Sequence, residues 1–125
     1  MDKVFAITGS VLALLGVVAG AVGAHMLKDR LSSGMLEVFE TAVRSQMYHA
    51  FGLLFVAWAV SHWSISIPTT IGWSFIVGTV LFSGSLYGLS LTGIGWLGVV
   101  TPLGGLAFII GWILLAYSIC LLYTS

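Results

Sequence analysis

The chain has 125 residues, of which 59% are hydrophobic and only 6% are charged. A soluble domain usually carries about 25% charged residues, and a soluble fold of this size could not hide so much apolar surface from water. The formal net charge is zero, so there is no basic surface of the kind that binds nucleic acid. Composition therefore predicts an integral membrane protein.

The charges are confined to one part of the chain. All charged residues lie between Asp2 and Arg44, and none follows from Ser45 to Ser125. A water-exposed surface of that length would be expected to carry charges. The distribution therefore indicates that hydrocarbon surrounds most of the chain.

Four apolar segments approach the length of about 20 residues that a helix needs to cross a bilayer. The first resembles a signal peptide, but Asp2 offsets Lys3 and three further segments follow. Their uniform apolarity favours helices over the alternating strands of a barrel. The sequence predicts an all-α integral membrane protein, a single domain over residues 1–125 formed by a four-transmembrane-helix bundle. The predicted spans are residues 4–24, 47–63, 69–91 and 101–122.

Residues 34–46, between the first two spans, have a different pattern. Apolar residues recur at helical spacing along one face, whereas Glu40 and Arg44 lie on another. This pattern predicts an amphipathic helix. The helix either lies in the membrane interface or leads directly into the second span.

The start of the fourth span carries its own signal. Thr101 is suited to the N-cap of a helix and Pro102 to the first helical position, where a missing N–H costs nothing. We therefore predict that the fourth helix begins at Thr101, after a glycine-rich turn over residues 92–98.

Charge also predicts the orientation. An even number of spans places both termini on one side of the membrane. The loop between the first two spans carries Lys28, Arg30 and Arg44, whereas the other side carries only Lys3 and the terminal amine. The positive-inside rule then predicts a cytoplasmic first loop and both termini outside. We expect a multi-pass protein of the bacterial cell inner membrane.

Small residues recur in stripes along the predicted spans. Lipid chains are as apolar as leucine, so helices in a membrane associate through close packing of small residues. Such contacts can face other helices of this chain or a partner chain. The candidate helix-packing residues are Gly16, Gly20, Gly84, Gly88, Gly104, Ala107 and Gly111.

Polar side chains collect at the membrane face of the first loop. Ionisable groups at membrane depth are functional candidates, so one interpretation is a polar pocket for a headgroup, a quinone or a small solute. The other interpretation is that these groups cap helix ends and join helices by hydrogen bonds. The set comprises His25, Glu40, Arg44, Gln46, Tyr48, His49, Ser83, Ser85, Tyr87 and Thr101.

No pattern indicates catalysis. The acidic residues cluster in one short segment, away from a nucleophile and base, so we predict no catalytic residue and no enzyme. His49 and His62 lie about 20 Å apart along one helix and cannot share a metal. His25 and His49 could ligate a haem, but no other spacing supports one. We therefore expect neither a metal nor a cofactor.

Four strings carry a family resemblance: residues 20–25, 39–50, 81–87 and 101–108, with Gly111-Trp112 after the last. Together they resemble the small membrane family of domain of unknown function 423, which includes eukaryotic transmembrane protein 256. Ser45 stands where the resemblance leads us to expect an aromatic residue. The resemblance covers nearly the whole chain and implies a four-helix membrane protein, but it implies no activity.

We therefore expect a non-catalytic accessory or structural subunit that packs in the membrane with a larger complex or with itself. Its expected partners are membrane lipids and other membrane protein subunits. The alternative is a binder or transporter of a lipid, quinone or small solute that uses the polar pocket at the cytoplasmic leaflet.

Overall fold

The computed structural model describes residues 2–64 and 66–124, and within them the chain is helical, with no strand. The all-α class predicted from the sequence is therefore confirmed. The first helix continues into a short π-helix, Gly23–Leu27. The four α-helices are α1, Asp2–Val22; α2, Ser33–His62; α3, Thr69–Thr92; and α4, Leu97–Thr124.

Within the described residues, three segments are long and apolar enough to cross a membrane: Asp2–Leu27, Thr69–Thr92 and Leu97–Thr124. Their large apolar side chains point outward in many places; Ile113 on α4, for example, is 62% exposed. Water-soluble proteins rarely expose apolar surface on this scale. Such a surface is suited to contact with hydrocarbon.

Helix α2 is the central helix, because it packs against both α1 and α3 and holds the largest set of buried residues. It begins after Ser32, whose Oγ accepts a hydrogen bond from the backbone N–H of Met35 at 3.2 Å. Its 30 residues extend about 45 Å at 1.5 Å per residue. This is longer than the roughly 30 Å of bilayer hydrocarbon.

The amphipathic segment and the second predicted span form one uninterrupted helix. Of the two alternatives that the sequence left open for residues 34–46, the structure has the one in which the segment leads directly into the second span. The physical reason is a continuous buried face. Phe39, Gln46 and Leu53 recur at helical spacing and are all buried against neighbouring helices, so packing extends across the junction of the two predicted segments.

Helix α3 ends at Gly93, whose φ of 74° places it in the left-handed region that favours glycine. Its N–H donates to the carbonyl oxygen of Leu89 at 2.8 Å. Only residues 93–96 join α3 to α4. The two helices therefore form a tight hairpin.

The predicted start of the fourth helix was wrong. Helix α4 begins at Leu97, because the N–H groups of Leu97 and Gly98 already bond to the carbonyls of Ile94 and Gly95. Pro102 consequently lies inside the helix, where it supplies no N–H to the turn before it. Thr101 is not the N-cap; its hydroxyl bonds to a side chain of α3 instead.

The helices pack in chain order, α1 on α2, α2 on α3 and α3 on α4. At one end of the molecule α1 also reaches α3, where Phe5 occupies the space that a Cβ atom at Gly72 would need. The Phe5 ring meets Trp73 edge-on at 5.8 Å between centroids. This contact closes one end of the α1–α3 gap.

The predicted small residues have different environments. Gly104 lies against the backbone of Phe82, so any side chain there would collide with α3. Gly16 meets Met47, Gly20 lies near Val43, Gly88 faces Leu97 and Gly111 faces Phe75. Ala107 is half-buried on α4. Gly84 makes no close contact within the described part of the chain, because no atom lies within 4 Å of where its Cβ would be; it borders an open cleft.

Candidate functional site

His49 lies on the buried face of α2. Its Nδ1 lies 2.8 Å from the carbonyl oxygen of Ser45, and its Nε2 lies 2.9 Å from the indole Nε1 of Trp112 on α4. An indole N–H can only donate, so Nε2 of His49 accepts and Nδ1 carries the proton. Both ring nitrogens are therefore engaged within the chain.

Aromatic rings enclose this histidine. The Phe108 ring stacks on the imidazole with centroids 3.5 Å apart and planes 6° apart, and Phe75 meets the imidazole edge-on at 5.4 Å. Phe75 in turn contacts Trp112 at 4.7 Å. The cluster of His49, Phe75, Phe108 and Trp112, here called the imidazole cluster, joins α2, α3 and α4.

Gln46, one turn earlier on α2, joins a different pair of helices. Its Nε2 donates to the carbonyl oxygen of Leu12 on α1 at 2.8 Å. Its Oε1 accepts from the hydroxyl of Tyr87 on α3 at 2.6 Å. A single amide thus joins α1, α2 and α3, and its oxygen and nitrogen both have partners.

Hydroxyl groups on α3 form two further links. Ser83 donates to the carbonyl oxygen of Ala42 on α2 at 2.9 Å, and Ser85 shares a 2.6 Å hydrogen bond with Thr101 on α4. Within residues 2–64 and 66–124, every buried side-chain nitrogen or oxygen has a hydrogen-bond partner. These polar groups therefore form hydrogen bonds that join one helix to the next.

Four of the predicted pocket residues lie elsewhere. His25, Glu40, Arg44 and Tyr48 are on the exposed surface. Arg44 donates to the hydroxyl of Thr41 on its own helix, and Tyr48 is 62% exposed. The structure therefore brings together Gln46 with Tyr87 and Ser85 with Thr101, but it does not gather the ten residues into one polar pocket.

An apolar cleft lies beside Gln46, between α1 and α3 with α2 at its base, and has a volume of about 430 Å³. Phe39 and Gln46 contribute from α2. The wall residues from α1 and α3 include Leu12, Leu15, Ala19, Val80, Gly84 and Tyr87. Sequence reasoning named Gly84 as a candidate helix-packing residue and did not indicate this space beside it.

Sequence reasoning also missed the partners of the polar residues. Trp112 and Phe108 were not among the predicted site residues, although they complete the environment of His49. The backbone acceptors of Leu12 and Ala42 are equally invisible in a sequence. The strings quoted for the family resemblance did include Trp112 and Phe108, and they were the only available signal.

The histidines have no shared site. His49 is buried with both nitrogens engaged, whereas His25 is exposed. His62 instead bonds to the carbonyl oxygen of Trp58 and stacks on its ring. In the part of the chain that the structure describes, no group of three or more His, Cys, Asp or Glu residues could hold a metal ion.

Residues 19–105 match the sequence family described as protein of unknown function (DUF423). The chain is similar to the UPF0382 membrane protein YwdK of Bacillus subtilis, with 52% identity over 93% of this chain and 95% of that protein. A UPF0382 membrane protein of Staphylococcus epidermidis is 46% identical over 93% of this chain and 94% of its own length. No solved structure matches.

The relatives are named as membrane proteins, which agrees with the long apolar helices of this chain. The resemblance inferred from the four sequence strings is confirmed, and the chain belongs to the DUF423 family of membrane proteins.

Proposed function

We propose that this protein is a non-catalytic accessory or structural membrane subunit that packs beside other membrane helices, either of a larger complex or of further copies of itself. The observation that carries the proposal is the use of polar groups. His49, Gln46 and Ser83 make hydrogen bonds between or within helices of the chain, so they join helices rather than present free groups to a substrate.

The same geometry bears on the alternative functions. Nucleophilic catalysis needs a base within hydrogen-bond reach of the nucleophile, but Ser83 donates to Ala42 and His49 bonds to Ser45 and Trp112. A polar solute would have to displace these internal bonds. We therefore propose no enzymatic activity and no cofactor.

Four spans are part of the proposal. Helix α2 packs lengthwise between α1 and α3, both of which are long and apolar enough to cross a membrane. A helix packed on two crossing neighbours crosses with them. Because α2 is longer than the hydrocarbon is thick, its charged first turns, with Glu37, Glu40 and Arg44, would extend into the interface. We therefore propose that the amphipathic segment lies at the membrane surface as the start of the second span.

The proposed orientation has a cytoplasmic first loop and both termini outside, in a bacterial inner membrane. It is tested with Lys28→Cys and Ser66→Cys, each in a Cys120→Ser background, and a membrane-impermeant maleimide. We expect Lys28→Cys to react only in inverted vesicles and Ser66→Cys only in intact cells. The reverse pattern would reject the orientation, and labelling of both positions from one side would reject the four spans.

Association is tested on α4, whose outward face is broad and apolar. Single cysteines replace Ile113, which is exposed, and Leu115, which is 3% exposed, again in a Cys120→Ser background. Oxidative or bifunctional crosslinking in native membranes should join the Ile113→Cys chain to a defined partner or a second copy in fixed stoichiometry. The Leu115→Cys chain is the matched control and should not crosslink. The accessory role would be rejected if neither cysteine variant crosslinks and light scattering of a mild-detergent extract shows a monomer.

A further inference from the structure

The cleft between α1 and α3 narrows toward one end. Near the start of α1 the two helices meet through Phe5 and Gly72. Toward the first loop they separate, and the cleft wall on α3 extends from Thr79 to Tyr87, about 12 Å at 1.5 Å per residue. The mouth lies beside Leu15 and Val80, which are 52% and 65% exposed. It therefore opens sideways into the same medium as the apolar helix surfaces.

The dimensions of the cleft argue against a protein helix as its occupant. The cleft has a volume of about 430 Å³ and a length of about 12 Å. A helix with its side chains is about 10–12 Å wide and fills on the order of 900–1,400 Å³ over the same length. The cleft wall is formed by ten residues and is far smaller than the ~800 Å² per partner of a standard interface.

The chemistry of the wall argues for hydrocarbon. The amide of Gln46 is bonded to Leu12 and Tyr87, and the hydroxyl of Ser83 is bonded to Ala42. Because these groups are already bonded within the chain, a polar ligand inside the cleft would lose more hydrogen bonds to water than it could gain from the wall, which is unfavourable. A hydrocarbon chain would lose nothing, and it would cover the apolar wall.

We propose that the cleft binds one hydrocarbon chain of a membrane lipid. The chain enters from the first-loop side, near Ala19 and Phe39, and its end lies near Gln46 and Leu12. The headgroup then stays at the interface, at the level of the charged first loop. This site is separate from the accessory role proposed above, because it involves the α1–α3 side and not the outward face of α4.

The first experiment maps where a lipid chain lies. The full-length protein in mild detergent is mixed with a phosphatidylglycerol that carries a diazirine in its acyl chain or, in parallel, with a diazirine-labelled isoprenoid alcohol. After illumination, crosslinked peptides are located by mass spectrometry. We expect labelling concentrated at Leu15, Val80 and Gly84, above that of the exposed α4 residue Ile113. Cleft labelling by either probe supports the proposal and identifies the source of the chain.

The second experiment fills the cleft. Gly84→Leu adds a side chain where no atom lies within 4 Å of the new Cβ, so the side chain extends into the cleft. Gly105→Leu is the matched control, because its Cβ also meets nothing within 4 Å and it lies on α4, away from the cleft. We expect Gly84→Leu to lower labelling of Leu15 and Val80 about tenfold, and Gly105→Leu to leave it unchanged.

Two results would overturn the proposal. One is even labelling of the cleft and α4 in the unaltered protein with both probes. The other is a folded Gly84→Leu protein that labels as strongly as the control. If Gly84→Leu unfolds, Ala19→Leu is used instead, because it fills the cleft from the opposite wall. The labelling map of the unaltered protein tests the proposal whether or not either variant folds. Crosslinking of α4 to a partner is independent of both results, so the accessory role and the lipid site can fail separately.

Discussion

The two sides of α2 use polar residues in different ways. On one side, here called the closed side, His49 lies in the imidazole cluster, where Phe108 stacks on its ring and α3 approaches α4 closely at Gly104. On the other side, Gln46 bonds to both α1 and α3 but an apolar cleft remains beside it. A hydrogen bond between helices therefore fixes their relative position without requiring that the gap between them be filled.

The largest expected effect tests the closed side. Gly104→Leu places side-chain atoms where the backbone of Phe82 lies. The cost should exceed the ~1–3 kcal/mol typical of an overpacked core, because backbone cannot rotate away as a side chain can. The measurement is unfolding in mixed micelles with increasing denaturing detergent, followed by circular dichroism.

The neighbouring Gly105 provides the control for that experiment. Gly105→Leu should unfold at nearly the same fraction of denaturing detergent as the unaltered protein, since nothing lies within 4 Å of its Cβ. Equal destabilisation by the two substitutions would show that α3 and α4 are not packed as described.

The next effect tests the imidazole cluster. His49→Ala removes the ring that stacks on Phe108 and leaves the indole N–H of Trp112 without its acceptor. We expect a loss of about 2–3 kcal/mol in the free energy of unfolding, from a cavity plus an unpaired donor. Tyr48→Ala, the adjacent but exposed position, is the control and should be nearly neutral. Equal stability of the two variants would contradict a structural role for His49.

A smaller effect is expected on the cleft side. Tyr87→Phe removes one hydrogen bond to Gln46 and leaves the packing of the ring against Phe39 in place. Hydrogen bonds between membrane helices contribute about 0.6 kcal/mol on average, and the loss should be of that order. Tyr117→Phe, on the exposed surface of α4, is the reference. A loss of several times that size would mean that the cleft side depends on its polar link as strongly as the closed side does.

The smallest effect is expected outside both regions. Arg44→Ala removes an exposed side chain whose hydrogen bond, among the residues that the structure describes, goes to Thr41 on its own helix, so unfolding in detergent should not change measurably. A clear destabilisation would place Arg44 within the packed structure, as the predicted polar pocket required.

Much of the architecture followed from local patterns. Helices over α1, α3 and α4 could be predicted because each contains an apolar stretch that is long enough to cross a membrane. The end of α3 could be placed near Gly93 because a glycine-rich turn follows it. These features depend on neighbouring residues in the chain, and such features are visible in one sequence.

The candidate site could be predicted only in part. The sequence indicated that Gln46, His49 and Tyr87 lie at one membrane level, but not that Tyr87 would bond to Gln46 while His49 bonds to Trp112. Those pairings depend on how far each helix is rotated about its axis, which hydropathy does not determine. The backbone acceptors, such as the carbonyl of Leu12, carry no residue-type signal at all.

The uninterrupted α2 illustrates a related limit. The lower apolarity of α2 suggested a short span after a surface helix. The reason for this lower apolarity is instead the central position of α2 among the helices. A helix with neighbours on two sides can carry polar groups that those neighbours satisfy.

The short connection between α3 and α4 has a consequence for biosynthesis. Because only residues 93–96 join the two helices and no Lys or Arg follows Arg44, the hairpin carries no positive charge that could direct its insertion. Its direction across the bilayer must be inherited from the segment made first. A fragment that begins at Thr69 should insert α3 and α4 in either direction, whereas we expect the intact chain to insert them in one.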